Sequence, residues 1–351
     1  MIKINRSNID AFLKIAILGL VFGLFFSNAV KSISIVLLSV GFLFYENWME
    51  QAKSVAKNKL YQSALIIFSV YILSGILGGS FTSYMESVRG KIYYLFVPIT
   101  LSFIIFSFKE KLFIKFIFAC CAVVQSLYAI KYFITNKESF IDTYNTGNVL
   151  PVIKIHHVQI AVLLAISVLL LVSVLFSSTK KWIKTIAFVV AICLFIFLHI
   201  FAVRTGLILV YGMLLLHISC KLIEQKKWTI LAGTLTIIIG LGVSIIHYSP
   251  TLKNKINYMK YDLQQYKQQT TDLFLYSDSR RLQSIQIGIQ ILKMHPLTGC
   301  GVGNIKEECA HIYQQKNVQK NDAFYFLPHS QYIYFLSCFG WITGSIITLC
   351  F

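Results

Sequence analysis

Long apolar runs separated by short polar punctuation dominate this chain almost from its start. They predict membrane spans near 11–27, 30–46, 60–80, 91–108, 112–134, 157–177, 183–201, 205–222, 228–247 and 331–351. The warrant is length: a helix needs about 20 mostly apolar residues to cross roughly 30 Å of hydrocarbon. Between residues 248 and 330 the pattern changes. There Ile256, Met259, Leu263 and Tyr266 recur at three- and four-residue spacing, and so do Leu282, Ile285, Ile289 and Leu292 after Ser277-Asp278-Ser279. Both patterns predict amphipathic helices. The second should stop ahead of Pro296, because proline restricts the residue before it. Asn304 with Glu307 resembles a capping box that opens a third, short helix.

The predicted architecture is an all-α integral membrane protein with about ten transmembrane helices and one large, mainly helical loop. Its parts are a bundle over 1–247 (about nine spans), a loop domain over 248–330, and a final transmembrane helix over 331–351. The chain ends inside that last run, which fits both a natural short form and a truncated sequence. Lys3 and Arg6 ahead of an apolar stretch resemble a signal peptide, but the many spans that follow favour an uncleaved first helix.

Composition agrees with lipid as the solvent. Of 351 residues 56% are hydrophobic and 13% charged, against about 25% charged in ordinary soluble domains. The net charge of +18 does not imply nucleic acid, because the lysines fall in short clusters between apolar runs instead of on one face. Lys53, Lys57 and Lys59, Lys109 and Lys111, Lys180, Lys181 and Lys184, and Lys221, Lys226 and Lys227 occupy alternate connections. By the positive-inside rule these connections face the cytoplasm, which leaves the 248–330 loop on the opposite side.

The acidic residues exclude two classes. All 14 Asp and Glu residues lie at span ends or in loops, whereas ion-coupled transporters need carboxylates near the midplane. No Asp-x-Asp pair is present to hold a divalent metal and a nucleotide diphosphate, so neither a metal nor a cofactor is expected. Of eight cysteines, only Cys300 and Cys309 share the loop. They read as small hydrophobes first and as a disulfide in an oxidising compartment second.

Cationic and neutral chemistry at the outer face remains. Arg204, in Ala-Val-Arg-Thr-Gly between two apolar runs, either snorkels to headgroups or clamps phosphate with its planar fork. Arg280 and Arg281 precede the loop helix, and adjacent residues point to different faces, so at most one need be functional. Gly299-Cys300-Gly301-Val302-Gly303 reads as a tight turn, because a dinucleotide fingerprint would need a preceding strand. His329, in Pro328-His329-Ser330-Gln331, sits at a helix N-terminus whose dipole favours the neutral imidazole, the form that accepts a hydroxyl proton. His156 and His157 open another span on the same side and are interfacial residues first, vestibule residues second.

Together these motifs resemble the O-antigen ligase and polymerase superfamily of bacterial inner-membrane glycosyltransferases. The resemblance rests on Arg204-Thr205-Gly206-Leu207, Ser279-Arg280-Arg281-Leu282, and His295-Pro296-Leu297-Thr298-Gly299-Cys300-Gly301-Val302-Gly303-Asn304. Pro328-His329-Ser330-Gln331-Tyr332 and Phe339-Gly340-Trp341-Ile342 complete it. It covers roughly Ile155 to the end. Ile285 stands where the family usually has an aromatic residue, and family members often carry further spans after the loop. The resemblance implies transfer of a glycan from undecaprenyl diphosphate to a hydroxyl acceptor at the periplasmic face of the inner membrane. Membrane lipid and a lipid A-core sugar or another glycan are the partners, with no metal or nucleotide sugar. Carried over by motif, Arg204 and Arg281 hold the donor diphosphate and His329 activates the acceptor. Arg280, His156 and His157 are further candidates for the same vestibule. Ligase and polymerase are both open, with a lean to ligase. A non-enzymatic transporter of lipid-linked glycan is the rival from another class.

Overall fold

The computed structural model describes residues 6–135, 157–178, 180–200, 204–229, 250–267, 277–315 and 326–350, with isolated positions between 233 and 240. Among them the chain is helical throughout, with no strand. In order, the helices are α1 (Arg6–Phe26), α2 (Asn28–Val40), α3 (Trp48–Ala56), α4 (Lys59–Leu73), α5 (Phe81–Arg89), α6 (Tyr93–Phe103) and α7 (Phe108–Thr135). They continue as α8 (His157–Ser177), α9 (Lys181–Ile200), α10 (Arg204–Glu224), α11 (Pro250–Lys267), α12 (Ser277–Met294), α13 (Ile305–Gln315) and α14 (Gln331–Cys350).

Seven of the described helices are long and apolar enough to cross a membrane, or up to eight if one bent pair counts as a span. The sequence pattern predicts about ten, and three places account for the difference. The run at 91–108 yields only the 11 residues of α6, with Pro98 inside; a helix of that length reaches about 16 Å, half the hydrocarbon thickness. The run at 30–46 becomes α2 and a 3-10 turn, and the chain then bends by 114° into α3. The expected span at 228–247 lies largely outside the described residues.

The chain divides into two compact units. One comprises Ile15–Ser34 and Phe106–Met259. Its core is aliphatic, with Leu164, Leu171, Leu194 and Leu198 fully buried, and Ala161, Ala165 and Ala187 let the helices close in. Within a membrane such packing relies on close backbone approach, since lipid tails are as apolar as leucine. Gly206 shows the tightness: a Cβ there would sit 2.8 Å from the Ala161 carbonyl oxygen and 2.9 Å from Leu198 Cδ2. Buried polar groups bond within the unit. Ser167 donates to the Leu163 carbonyl at 2.8 Å, and the Gln125 amide donates to the Phe25 carbonyl.

The other unit comprises Met1–Lys14, Ile35–Ile105 and Lys260–Phe351. Tyr71, Ile287, Ile291, Tyr313 and Phe335 form its core. Here α12 and the first part of α14 run parallel: Ser284 faces His329, Gly288 faces Ser337 and Pro296 faces Trp341. Gly288 permits the close approach, because a Cβ would come within 2.6 Å of Ile333 and 2.9 Å of Pro328.

The sequence pattern predicts one straight span for the last apolar run. By length and composition it qualifies, but α14 is broken at Gly340, whose φ of 73° lies in the left-handed region. Past the break the chain turns back on itself: a Cβ on Gly344 would approach the Leu336 Cα to 2.8 Å. A straight helix holds residues eight apart at about 12 Å. Hydropathy counts apolar residues and carries no information on such a reversal.

Candidate functional site

The break in α14 exposes backbone groups, and the glycine turn after α12 satisfies them. In an unbroken helix the Ser337 carbonyl would accept from the Trp341 amide. Instead Trp341 N–H donates to the Pro296 carbonyl at 2.8 Å, and the Ser337 carbonyl accepts from Cys300 N–H at 3.0 Å. Gly301 N–H likewise donates to the Cys338 carbonyl at 2.9 Å. Gly299 has a positive φ of 69° and lies against the Cys338–Phe339 backbone, where no side chain fits. These glycines therefore form a plug for a broken helix. Two of the amides that a phosphate cradle would need are already bonded to protein carbonyls.

Asn304 opens α13 as expected, its carbonyl accepting from Glu308 N–H at 3.0 Å. Its side-chain amide does not take the expected capping-box role; it donates to the Cys300 carbonyl at 2.9 Å. Cys300 and Cys309 are both buried free thiols, with no disulfide among the described residues. Burial, then the neighbouring Cys300 and Glu308, pushes the Cys309 thiol up to about 12, so at neutral pH it is an inert apolar group.

At the opposite end of α12 the candidate residues converge. His329 is anchored through its backbone, its N–H donating to Ser284 Oγ at 3.1 Å. The Ser284 hydroxyl in turn donates to the Arg281 carbonyl at 2.8 Å. One serine thus ties the arginine turn to the histidine segment. The His329 ring is exposed and stacks on Phe326, with centroids 6.0 Å apart and planes inclined by 28°. The Arg280 guanidinium carbon lies 5.4 Å from the centroid of the same Phe326 ring, a cation–π distance. Phe326 is therefore shared by Arg280 and His329.

The electrostatics follow from this arrangement. The His329 pKa is lowered, first by partial burial and then by Arg281 and Arg280. The sequence points to a helix dipole as the cause; the two guanidiniums and desolvation provide the lowering here. The consequence is unchanged: near neutral pH the imidazole is in the form that accepts a proton. Both arginines act on His329, whereas the sequence pattern requires at most one of the pair.

The remaining candidates stand differently. Arg204 opens α10 and His157 opens α8, but their side chains lie outside the described part of the structure, as does His156 entirely. Arg204 belongs to the first unit, and Arg280, Arg281 and His329 to the second. Among the described residues, no group of three His, Cys, Asp or Glu side chains could hold a metal ion.

Three residues escape a reading of the sequence. Ser284 and Phe326 carry no signal of their own in the motifs. His199 is hidden inside an apolar run of the first unit. Its Nδ1 lies 2.8 Å from the Phe195 carbonyl and its Nε2 2.8 Å from the Tyr211 hydroxyl. A carbonyl only accepts, so Nδ1 carries the proton and Nε2 accepts from Tyr211.

No curated protein matches the chain closely enough to count as a relative. A family model does match: residues 200–348 fit the one described as O-Antigen ligase, a stretch holding Arg204, the arginine helix, the glycine turn and His329, and the chain belongs to the O-antigen ligase and polymerase family.

Proposed function

We propose that this protein is an O-antigen ligase-like, inverting and metal-independent glycosyltransferase that moves a glycan from undecaprenyl diphosphate to a hydroxyl of a lipid A-core sugar at the periplasmic face. The observation that carries the reading is the grouping of Arg280, Arg281 and a pKa-lowered His329 at the shared end of α12 and α14.

In this reading His329 takes the proton of the acceptor hydroxyl as its oxygen attacks the anomeric carbon. The bond from that carbon to the diphosphate oxygen breaks on the opposite face, which inverts the centre. The electron pair leaves with undecaprenyl diphosphate, whose growing charge is met by guanidinium groups fixed in advance; such preorganised charge is usually the largest single contribution to catalysis. Arg281 is the primary holder of the diphosphate and Arg280, stacked on Phe326, its neighbour. The role of Arg204 as a second holder rests on its motif alone. The lysine-rich connections support an orientation with this end of α12 outside.

A polymerase of the same family would use the same groups on a different acceptor. The glycolipid ladder of a deletion strain separates the two. Ligase loss leaves bare core while lipid-linked polymer accumulates, and this is the outcome we expect. Core capped by a single repeat unit would assign the chain to polymerisation, and an unchanged ladder would remove both.

A further inference from the structure

One carboxylate lies fully inside the protein beside the arginine turn. Asp262, on α11 within the same unit as α12, has 0% exposure. A buried carboxylate persists only where donors replace its hydration. Here Ser279 N–H, in the first turn of α12, donates to Asp262 Oδ1 at 3.0 Å. The Ser279 hydroxyl sits between that carboxylate and the Asp262 backbone carbonyl, the latter at 3.0 Å. Ser279 is itself 1% exposed.

This is an N-terminal cap supplied from another helix. The first amides of a helix lack intrahelical partners and carry its positive dipole end, so a carboxylate there is favoured twice. Ordinary caps come from the residue just before the helix and fix only its start. A cap reaching across 17 residues of chain also fixes the direction in which that first turn points. The next two residues after Ser279 are Arg280 and Arg281, and Ser284 then bonds both the Arg281 carbonyl and the His329 amide. Apolar spacing makes α11 an amphipathic helix with Leu263 inward; in fact Leu263 is 41% exposed and its polar neighbour Asp262 is buried.

We infer that Asp262 is a positioning residue: by gripping Ser279 it holds the turn that presents Arg280 and Arg281 beside His329, and so sets donor binding. The inference rests on the reading of those arginines as holders of the donor diphosphate.

The test uses the full chain, purified and reconstituted in vesicles, with undecaprenyl diphosphate-linked glycan as donor. Asp262→Ala should raise the donor KM by about tenfold with kcat little changed, as a displaced clamp predicts. Hydrogen exchange of the α12 first-turn amides should speed up in the same variant. Asp262→Asn keeps an acceptor oxygen for Ser279 N–H and should restore most of the donor affinity. Adding Asp262→Ala to a chain already carrying Arg280→Ala and Arg281→Ala should change KM by less than about twofold, because the groups being positioned are gone. An unchanged KM in Asp262→Ala, or the full loss repeated on the arginine-less background, would overturn the inference. Wild-type KM in the arginine-less chain would instead overturn the diphosphate reading and this inference with it. The exchange measurement, which needs no activity, separates that failure from failure of the Asp262 cap itself.

Discussion

His329→Ala should lower glycan transfer by about 10²–10⁴-fold, the range for losing a positioned general base, while leaving the folded protein at its normal level. The second half of that expectation comes from geometry. His329 is tied to Ser284 through its backbone N–H, which alanine retains, and its ring is exposed. Only the stacking on Phe326 is lost from the fold, and removing an exposed side chain usually changes stability by under about 0.5 kcal/mol. The check is transfer by the purified variant alongside its melting temperature in detergent. Wild-type transfer would remove His329 from the chemistry. A large drop in melting temperature would make it a structural residue.

Gly340→Ala should have the largest effect on stability. At φ 73° an alanine carries a backbone penalty of about 1–3 kcal/mol. In addition, its Cβ would run into the backbone of Leu297 and Pro296. That backbone cannot yield cheaply, because the Pro296 carbonyl accepts from Trp341 N–H and the neighbouring turn plugs the Ser337 and Cys338 carbonyls. We expect a loss of about 3 kcal/mol or more, read as a clear fall in detergent melting temperature. Gly212, in the middle of α10, is the control: an added Cβ would meet nothing within 4 Å. Alanine there should be neutral or slightly stabilising. Equal melting temperatures for the two variants would contradict the broken-helix account of α14.

These two residues also show how far the sequence can be read. The helices around the site are legible: α12 stops at Met294 ahead of Pro296, and α13 follows Asn304. Which face of α12 turns inward is not. Apolar spacing selects Leu282, Ile285, Ile289 and Leu292, yet Ile289 is 37% exposed while Ser284, Ile287, Gly288 and Ile291 are buried. Small and polar residues face α14 because they allow the close approach of the two helices, and a pattern scored on apolarity passes over them. Asp262 escapes for the same reason: its surroundings are built by a residue 17 positions away.

The charged candidates are legible as residue types but not as an ensemble. Adjacency suggests that only one of Arg280 and Arg281 matters, because neighbouring helix positions point apart. Long guanidinium stems relax that constraint, and both side chains influence His329, one of them through an aromatic ring that no motif announces. The break at Gly340 is present in the sequence only as one glycine in an apolar run. What makes it a break is the carbonyl of Pro296, far earlier in the chain, waiting for the Trp341 amide.

The most direct test of the account is the pH dependence of transfer by the vesicle-reconstituted protein, compared with Arg281→Ala. Neutral His329 is the active form, so the rate should fall on acidification, with the fall lying below the ordinary histidine range because burial and the arginines lower its proton affinity. Removing the positive charge of Arg281 lets the imidazole hold its proton more tightly, so the acid limb of the variant should move to higher pH. An acid limb that stays in place in Arg281→Ala, or is absent from the wild-type profile, would mean that guanidinium and imidazole do not work on one reaction.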